Sequence, residues 1–316
     1  MRVRGRALHF GVQLQGQFTS WGEYASALAA VEEIGFGSVW AFDHLLPYAG
    51  PDDGAAFETL TTMSAMALLT SRARIGVLVN GNLYRHPAVL AKAAAQVDQM
   101  SGGRLDFSLG AAWSKREFDA YGLEFPSLSE RYARLDEALE LIKLLWDQHR
   151  TTFRGRFYQV SEAPCEPKPL QSPHPPVTIG GTGLGSLRAA AKHGDRLNMV
   201  GSPETCSQVV RRLEELCNEI GRNFDHIELS VHPSVAIAAR REEAQAHAQA
   251  TAGRLSLDLA AQAGRWLIGT PDEVAHELRR YLEVGVNHFV FAVGPPFDLA
   301  PLRLLEEEVL PALEES

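Results

Sequence analysis

Residues 20–44 read SWGEYASALAAVEEIGFGSVWAFDH, and the order of signals inside them decides the fold. Ser20 with Glu23 three residues on is a capping box. Tyr24, Ala27, Leu28, Val31 and Ile34 then fall on one helical face, and Gly35 stops the run. SVWAF follows at once, a short apolar β-type run of the kind found in buried strands, and it ends on Asp43 and His44. A helix delivered straight into a buried strand is half of a crossover unit, so the neighbouring segments are read for the same alternation.

They repeat it. A β-rich run near Leu8–Leu14 precedes the helix; after SVWAF come a helix near Phe57–Thr70 and the strand ARIGVLVN. Pro87 starts a third helix with Leu90, Ala94, Val97 and Met100 on one face, SGGR ends it, and the strand LDFSLGAA follows. The next stretch, WSKREFDAYGLEFPSLSER, is too polar and too punctuated by Pro and Gly for a core, and a long helix begins at about Ser129. Residues 151–176 break the rhythm with a hairpin, TTFRGRFYQV, and a Pro-rich connection. It resumes with strand VTIGG, helix Leu184–His193, strand RLNMV, helix Pro203–Ile220, strand HIELSVHPSV, helical material through Leu282, strand HFVFAV and a last helix from about Leu299 to Leu313. Eight strands joined by helices mean a parallel sheet, and they fit a closed (β/α)₈ TIM barrel better than an open doubly wound sheet, although periodicity does not show closure. The expectation is one barrel domain over residues 1–316, with insertions at about 111–130 and 150–176.

Composition narrows the function classes. The net charge of −9 opposes broad nucleic-acid binding, which needs a basic excess. No apolar run spans a bilayer and the N-terminus lacks a signal-peptide core, so a cytoplasmic protein without membrane contact is expected. The three cysteines, Cys165, Cys206 and Cys217, have neither even count nor CxxC spacing and read as reduced thiols. None of the histidines forms HxxxH or HExxH, so no metal is expected, and GxSxG is absent.

In a barrel the C-terminal strand ends carry the chemistry. Asp43 and His44 stand at such an end. His44 suits proton transfer, with Asp43 fixing its tautomer or holding a substrate hydroxyl; the plainer alternative is a helix cap beside a packed histidine. Asn80, Gly81 and Asn82 form a small polar turn after the third strand, with Arg85 placed to face an anion. TIGGTGLGSLR sets a glycine cluster at a helix N-terminus with Arg188 one turn on, a place for a phosphate. Arg85, Arg156, Lys168, Arg188 and Lys192 are candidates for a local basic patch. Trp113, just past the fourth strand, is placed either to cover a planar ring or to pack at the rim.

Together WAFDHL, YRHPAVLAKAAAQVDQMSGGRLDFSLGAAWSKREFDAYG, ERYARLDEALELIKLLW, EPKPLQSPHPPVTIGG and LIGTPDEV resemble the bacterial luciferase-like superfamily, and in particular its coenzyme F420-dependent oxidoreductases. The resemblance implies a luciferase-like TIM barrel with a deazaflavin (F420), or alternatively FMN, across its C-terminal mouth, and a non-prolyl cis peptide near Val77-Leu78. It implies His44 at the reactive ring edge and cofactor contacts from Val77, Leu78, Asn80, Ala111, Trp113, Gly180, Gly181 and Thr182. It further implies a small-molecule substrate and a homodimer. The chain departs from the family at Ser108, Ala112 and Ser114, and the glutamate that follows the fourth strand in the sugar-phosphate dehydrogenases has no clear counterpart, which argues against sugar-phosphate oxidation. The expected activity is hydride transfer with F420; the alternatives are an FMN-dependent monooxygenase, a non-catalytic flavin-binding barrel and a metal-free hydrolase.

Overall fold

The computed structural model describes residues 2–262 and 264–314. Eight parallel strands, β1 His9–Leu14, β2 Ser38–Ala41, β3 Arg74–Val77, β4 Leu105–Leu109, β5 Val177–Gly180, β6 Arg196–Met199, β7 Glu228–Val231 and β8 His288–Val293, pair in chain order. β8 pairs with both β7 and β1, the latter from His288↔His9 to Val293↔Leu14, so the sheet closes into a barrel. The open-sheet alternative is thereby excluded. The helices between strands are α1 Trp21–Ile34, α2 Thr59–Leu69, α3 Pro87–Ser101, α4 Lys115–Ala120, α5 Leu128–Asp147, α6 Leu184–His193, α7 Pro203–Glu219, α8 Arg241–Arg254 and α9 Pro271–Val284. Their ends follow the sequence signals: Ser20 and Glu23 form the capping box of α1, Gly35 closes it at φ 118°, and Pro87 opens α3.

The alternation of strand side chains separates two interiors. Val39, Ala41, Ile75, Val77, Phe107, Ile179, Leu197, Leu229, Phe289 and Phe291 face outward into the core shared with the helices. The inward residues are more polar and are organised around Trp40, which packs with Leu78 and Val290 inside the barrel. Trp40 needs glycine neighbours: a Cβ on Gly76 would lie 2.5 Å from its ring, and one on Gly11 only 2.1 Å from the Ser38 hydroxyl that accepts the indole N–H at 2.9 Å. Below Trp40, Arg74 grips Asp106 with two 3.0 Å bonds, Arg196 pairs with Glu228, and Asn287 donates to Glu228 at 2.9 Å. Burial pushes the His288 imidazole down to about 4, and the Arg196 charge adds to this. This end of the barrel is thus lined by compensated charge around a cavity of about 610 Å³, and the C-terminal strand ends lie at the other.

The hairpin appears as Thr151–Arg154 paired antiparallel with Gln159–Ala163. The stretch expected to be helical through Leu282 contains a strand, Trp266–Gly269, parallel to Ser234–Ile237. The latter continues β7 beyond His232 and Pro233, and WLIG is too short for its period to declare itself. The C-terminal helix is interrupted by a π turn over Leu305–Val309.

Candidate active site

His44 leaves β2 at the open end of the barrel, its side chain 14% exposed. Its Nδ1 lies 2.6 Å from Glu117 Oε1 on α4. Glu117 Oε2 accepts the Leu45 backbone N–H at 3.0 Å and the Tyr84 hydroxyl. Burial alone would raise the Glu117 carboxyl, but the His44 ring, the Tyr84 hydroxyl and the Leu45 N–H outweigh it and hold the group below its ordinary value. An ionised carboxylate only accepts, so Nδ1 carries the proton and, in the neutral ring, Nε2 keeps its lone pair. Tyr84 is steered by a stack on Phe118, with centroids 4.8 Å apart, and by Gly81, where a Cβ would sit 2.5 Å from its ring. Burial, and then the bond to Glu117, raises the Tyr84 phenol, which stays a donor.

Glu117 was not singled out from the sequence, although a signal exists. Ser114 and Glu117 have the S-x-x-E spacing of a capping box; in the fold Ser114 makes no side-chain cap and the glutamate goes to His44 instead. The expected link between Asp43 and His44 is corrected. Asp43 is buried and bound by both Arg85 terminal nitrogens at 2.7 and 3.0 Å and by the Gly81 N–H at 2.9 Å, so it orders the third-strand turn. Successive residues diverge at a strand end, and the imidazole takes its carboxylate from α4.

The other expected residues divide. The non-prolyl cis peptide joins Leu78 and Val79, one bond beyond the expected position. Val77 packs into the outer core, so its side chain does not face the mouth. The Leu78 carbonyl accepts Gln13 Nε2 at 3.1 Å within the barrel. Asn80 donates to the Ser108 carbonyl at 3.0 Å, leaving its buried Oδ1 without a partner, as are Asn82 Oδ1 and Gln17 Nε2. Gly110 and Gly180 flank Val79, whose side chain lies 2.7 Å from where either Cβ would be. Gly181 has φ 109°, and the N-terminus of α6 beyond the exposed Thr182 carries no side-chain cap. Ala111 is buried, whereas Trp113 is 65% exposed with its ring edge-on to His44 at 5.5 Å. Across the mouth His232 Nδ1 meets Asn198 Oδ1 at 2.7 Å, and burial holds its imidazole near 4.

The basic patch does not form. Arg85 is committed to Asp43 and Glu58, Arg156 lies over the Phe157 ring at 4.8 Å, and Lys168 bonds the Leu145 and Gln148 carbonyls, while Arg188 and Lys192, the latter paired with Asp136, line an outward groove between α5, α6 and α7. Among the described residues no cluster of His, Cys, Asp or Glu is arranged to hold a metal, and no helix is long and apolar enough to cross a membrane.

This geometry can be set beside known proteins. The chain is 30% identical to an F420-dependent glucose-6-phosphate dehydrogenase of Amycolatopsis mediterranei (strain U-32), covering 92% of this chain and 93% of that one. It is 28% identical to an FMNH2-dependent dimethylsulfone monooxygenase of Pseudomonas putida, over 73% of this chain and 62% of the relative. Its fold matches an F420-dependent secondary alcohol dehydrogenase solved with an F420-acetone adduct at a TM-score of 0.85 and 22% identity, over 97% of this chain and 99% of that one. The family model described as luciferase-like monooxygenase matches residues 7–262, and the chain belongs to that family.

Proposed function

We propose that the protein is an oxidoreductase that moves a hydride between coenzyme F420 and a small organic substrate, with His44 as the acid/base. The observation that carries this is the Tyr84–Glu117–His44 chain at the open end of a luciferase-like barrel. The residues present suit a deazaflavin. The glycines around Val79 bring three strands together beneath the mouth, the unpartnered Oδ1 atoms of Asn80 and Asn82 suit N–H donors, and the uncapped backbone of α6 at Gly181–Gly183 suits a phosphate. When bound, the deazaflavin supplies the hydride acceptor or donor. His44 Nε2 takes the proton from a substrate hydroxyl in the oxidative direction and returns it in the reductive one, while Glu117 holds the ring in that tautomer. Asp43 and Arg85 hold the turn from Gly81 to Arg85 against β2.

The named relatives favour F420, and FMN is the second reading because a relative over 73% of this chain uses reduced FMN. We further place the enzyme in the cytoplasm as a homodimer of one-domain chains; its buried free thiols suit a reducing compartment. The test is His44→Ala under saturating F420. Turnover should fall by about 10²–10⁴-fold with cofactor affinity unchanged, and turnover within a few fold of the unaltered enzyme would remove His44 from the reaction.

A further inference from the structure

We infer that the cavity at the N-terminal end of the barrel is an anion site for hydrogen phosphate, an oxyanion that keeps an O–H at neutral pH. It lies at the opposite end from His44 and does not depend on the F420 reading. Its inner wall is a continuous chain of charge. Asp106 Oδ1 accepts from Arg74 Nη2 at 3.0 Å and lies 3.8 Å from Arg196 Nη1; Glu228 Oε2 accepts from Arg196 Nε and lies 3.7 Å from His288 Nδ1. These shared oxygens bring two guanidinium groups and an imidazole together on one cavity. The Pro-rich connection supplies the outer wall through Gln171, Ser172, Pro173 and His174.

The carboxylates of the inner wall are already engaged. Both Asp106 oxygens are taken by Arg74, and Glu228 by Arg196 and Asn287. Arg74 commits Nε and Nη2 to Asp106, the Leu105 carbonyl and Gln171, and Arg196 commits Nε and Nη1 to Glu228 and Thr178. Arg74 Nη1 and Arg196 Nη2 have no hydrogen-bond partner among the described residues. At the rim Asp195 accepts the Val177 N–H at 2.9 Å and lies 4.0 Å from His174. The lining's arginines, Arg6, Arg74 and Arg196, equal its carboxylates in number, so directional N–H groups and not a net field would hold an anion here.

His288 decides which anion. Its side chain is 3% exposed, and neither ring nitrogen has a hydrogen-bond partner. Nδ1 faces the Glu228 carboxylate and carries the proton, so Nε2 keeps its lone pair. Burial, and then the Arg196 charge, lowers the ring to about 4, so it stays neutral near neutral pH. The cavity therefore sets one acceptor among donors, and a buried acceptor left unmet is costly. Hydrogen phosphate matches that set: its O–H donates to Nε2 while its charged oxygens accept from Arg74 Nη1 and Arg196 Nη2. Sulfate has no O–H to give and would set lone pair against lone pair. A phosphomonoester, whose second ionisation falls at about 6, has mostly lost its own.

The test titrates the protein near neutral pH by calorimetry with inorganic phosphate, sulfate and glycerol 3-phosphate, with F420 absent and at saturation, for the unaltered chain, His288→Leu and His288→Gln. Phosphate should saturate, bind about tenfold or more tighter than sulfate or glycerol 3-phosphate, and be indifferent to F420. His288→Leu should weaken phosphate about tenfold and leave sulfate unchanged, and His288→Gln, whose amide carbonyl is an acceptor, should recover most of the loss. If the leucine variant does not fold, the imidazole nitrogen NMR signal of His288 in the unaltered protein decides, moving with phosphate and not with sulfate. Sulfate or glycerol 3-phosphate binding as tightly as phosphate, a His288 signal that ignores phosphate, or no saturation at tens of millimolar overturns the assignment. So does binding that F420 abolishes, which would place the anion at the N-terminus of α6 instead.

Discussion

The chemistry at His44 depends on a carboxylate that is distant in sequence. His44 is legible because it ends an apolar run, and its neighbour Asp43 is the obvious partner in one dimension. In three dimensions the short helix α4 brings Glu117 to Nδ1, and no spacing rule connects positions 44 and 117. Glu117→Gln keeps the size but turns an ionised acceptor into an amide, so the tautomer is no longer imposed. Turnover should drop by about 10²-fold with the substrate KM changed far less, as for a residue acting through another. Steady-state kinetics on the variant decides this, and an equal loss in KM would instead place Glu117 in direct contact with substrate. Burial shares the control: Glu117 has no side-chain exposure, so its partners, not solvent, keep it charged.

At the scale of elements, the helices were readable because their caps act locally. Ser20 with Glu23, Pro87 and the glycines at 35 and 102 each mark an end that the fold keeps. What could not be read was how strands meet inside the barrel, because inward residues are chosen against neighbours far along the chain. Gly76 is such a case: it faces the Trp40 ring from the next strand, and a Cβ there would come within 2.5 Å of that ring and 2.9 Å of the Asp106 carbonyl. Gly76→Ala should cost about 1–3 kcal/mol of stability through overpacking, measured by urea unfolding against the unaltered protein. An unchanged midpoint would mean that Trp40 has room to move. The strand Trp266–Gly269 was missed for a related reason: it pairs with Ser234–Ile237, a partner that sequence order hides.

Over the whole molecule the two barrel ends divide the work, a charge-compensated floor and an aromatic, hydrogen-bonded mouth. The two ends share a pH signature. His288 in the floor and His232 at the mouth have imidazoles that burial lowers to about 4, against about 6.5 in the unfolded chain. Above about 6.5 neither state binds these protons, and their contribution to stability is fully present. As pH falls from there towards 4 the unfolded chain takes up protons that the folded one refuses, so stability is lost across that window. The thermal midpoint should therefore decline between pH 6.5 and 4, and His288→Leu should decline less steeply; parallel curves would show that His288 is not the group responsible. Carboxylates held low, Glu228 and Asp136 among them, lose their contribution only at lower pH.

The eight alternating units were legible in the sequence; that the sheet closes was not, and the pairing of β8 with both β7 and β1 shows it. The cofactor is a finer matter, because F420 and FMN share a ring shape and differ in reactivity. Parallel anaerobic titrations of the protein with F420 and with FMN, each oxidised and reduced, followed by admission of oxygen, address the central claim most directly. Saturable binding of F420 that His44→Ala leaves intact, with FMN binding much weaker and no oxygen consumed on aeration, is the predicted result. Tight binding of reduced FMN with rapid oxygen uptake, or no binding of either coenzyme, would contradict it.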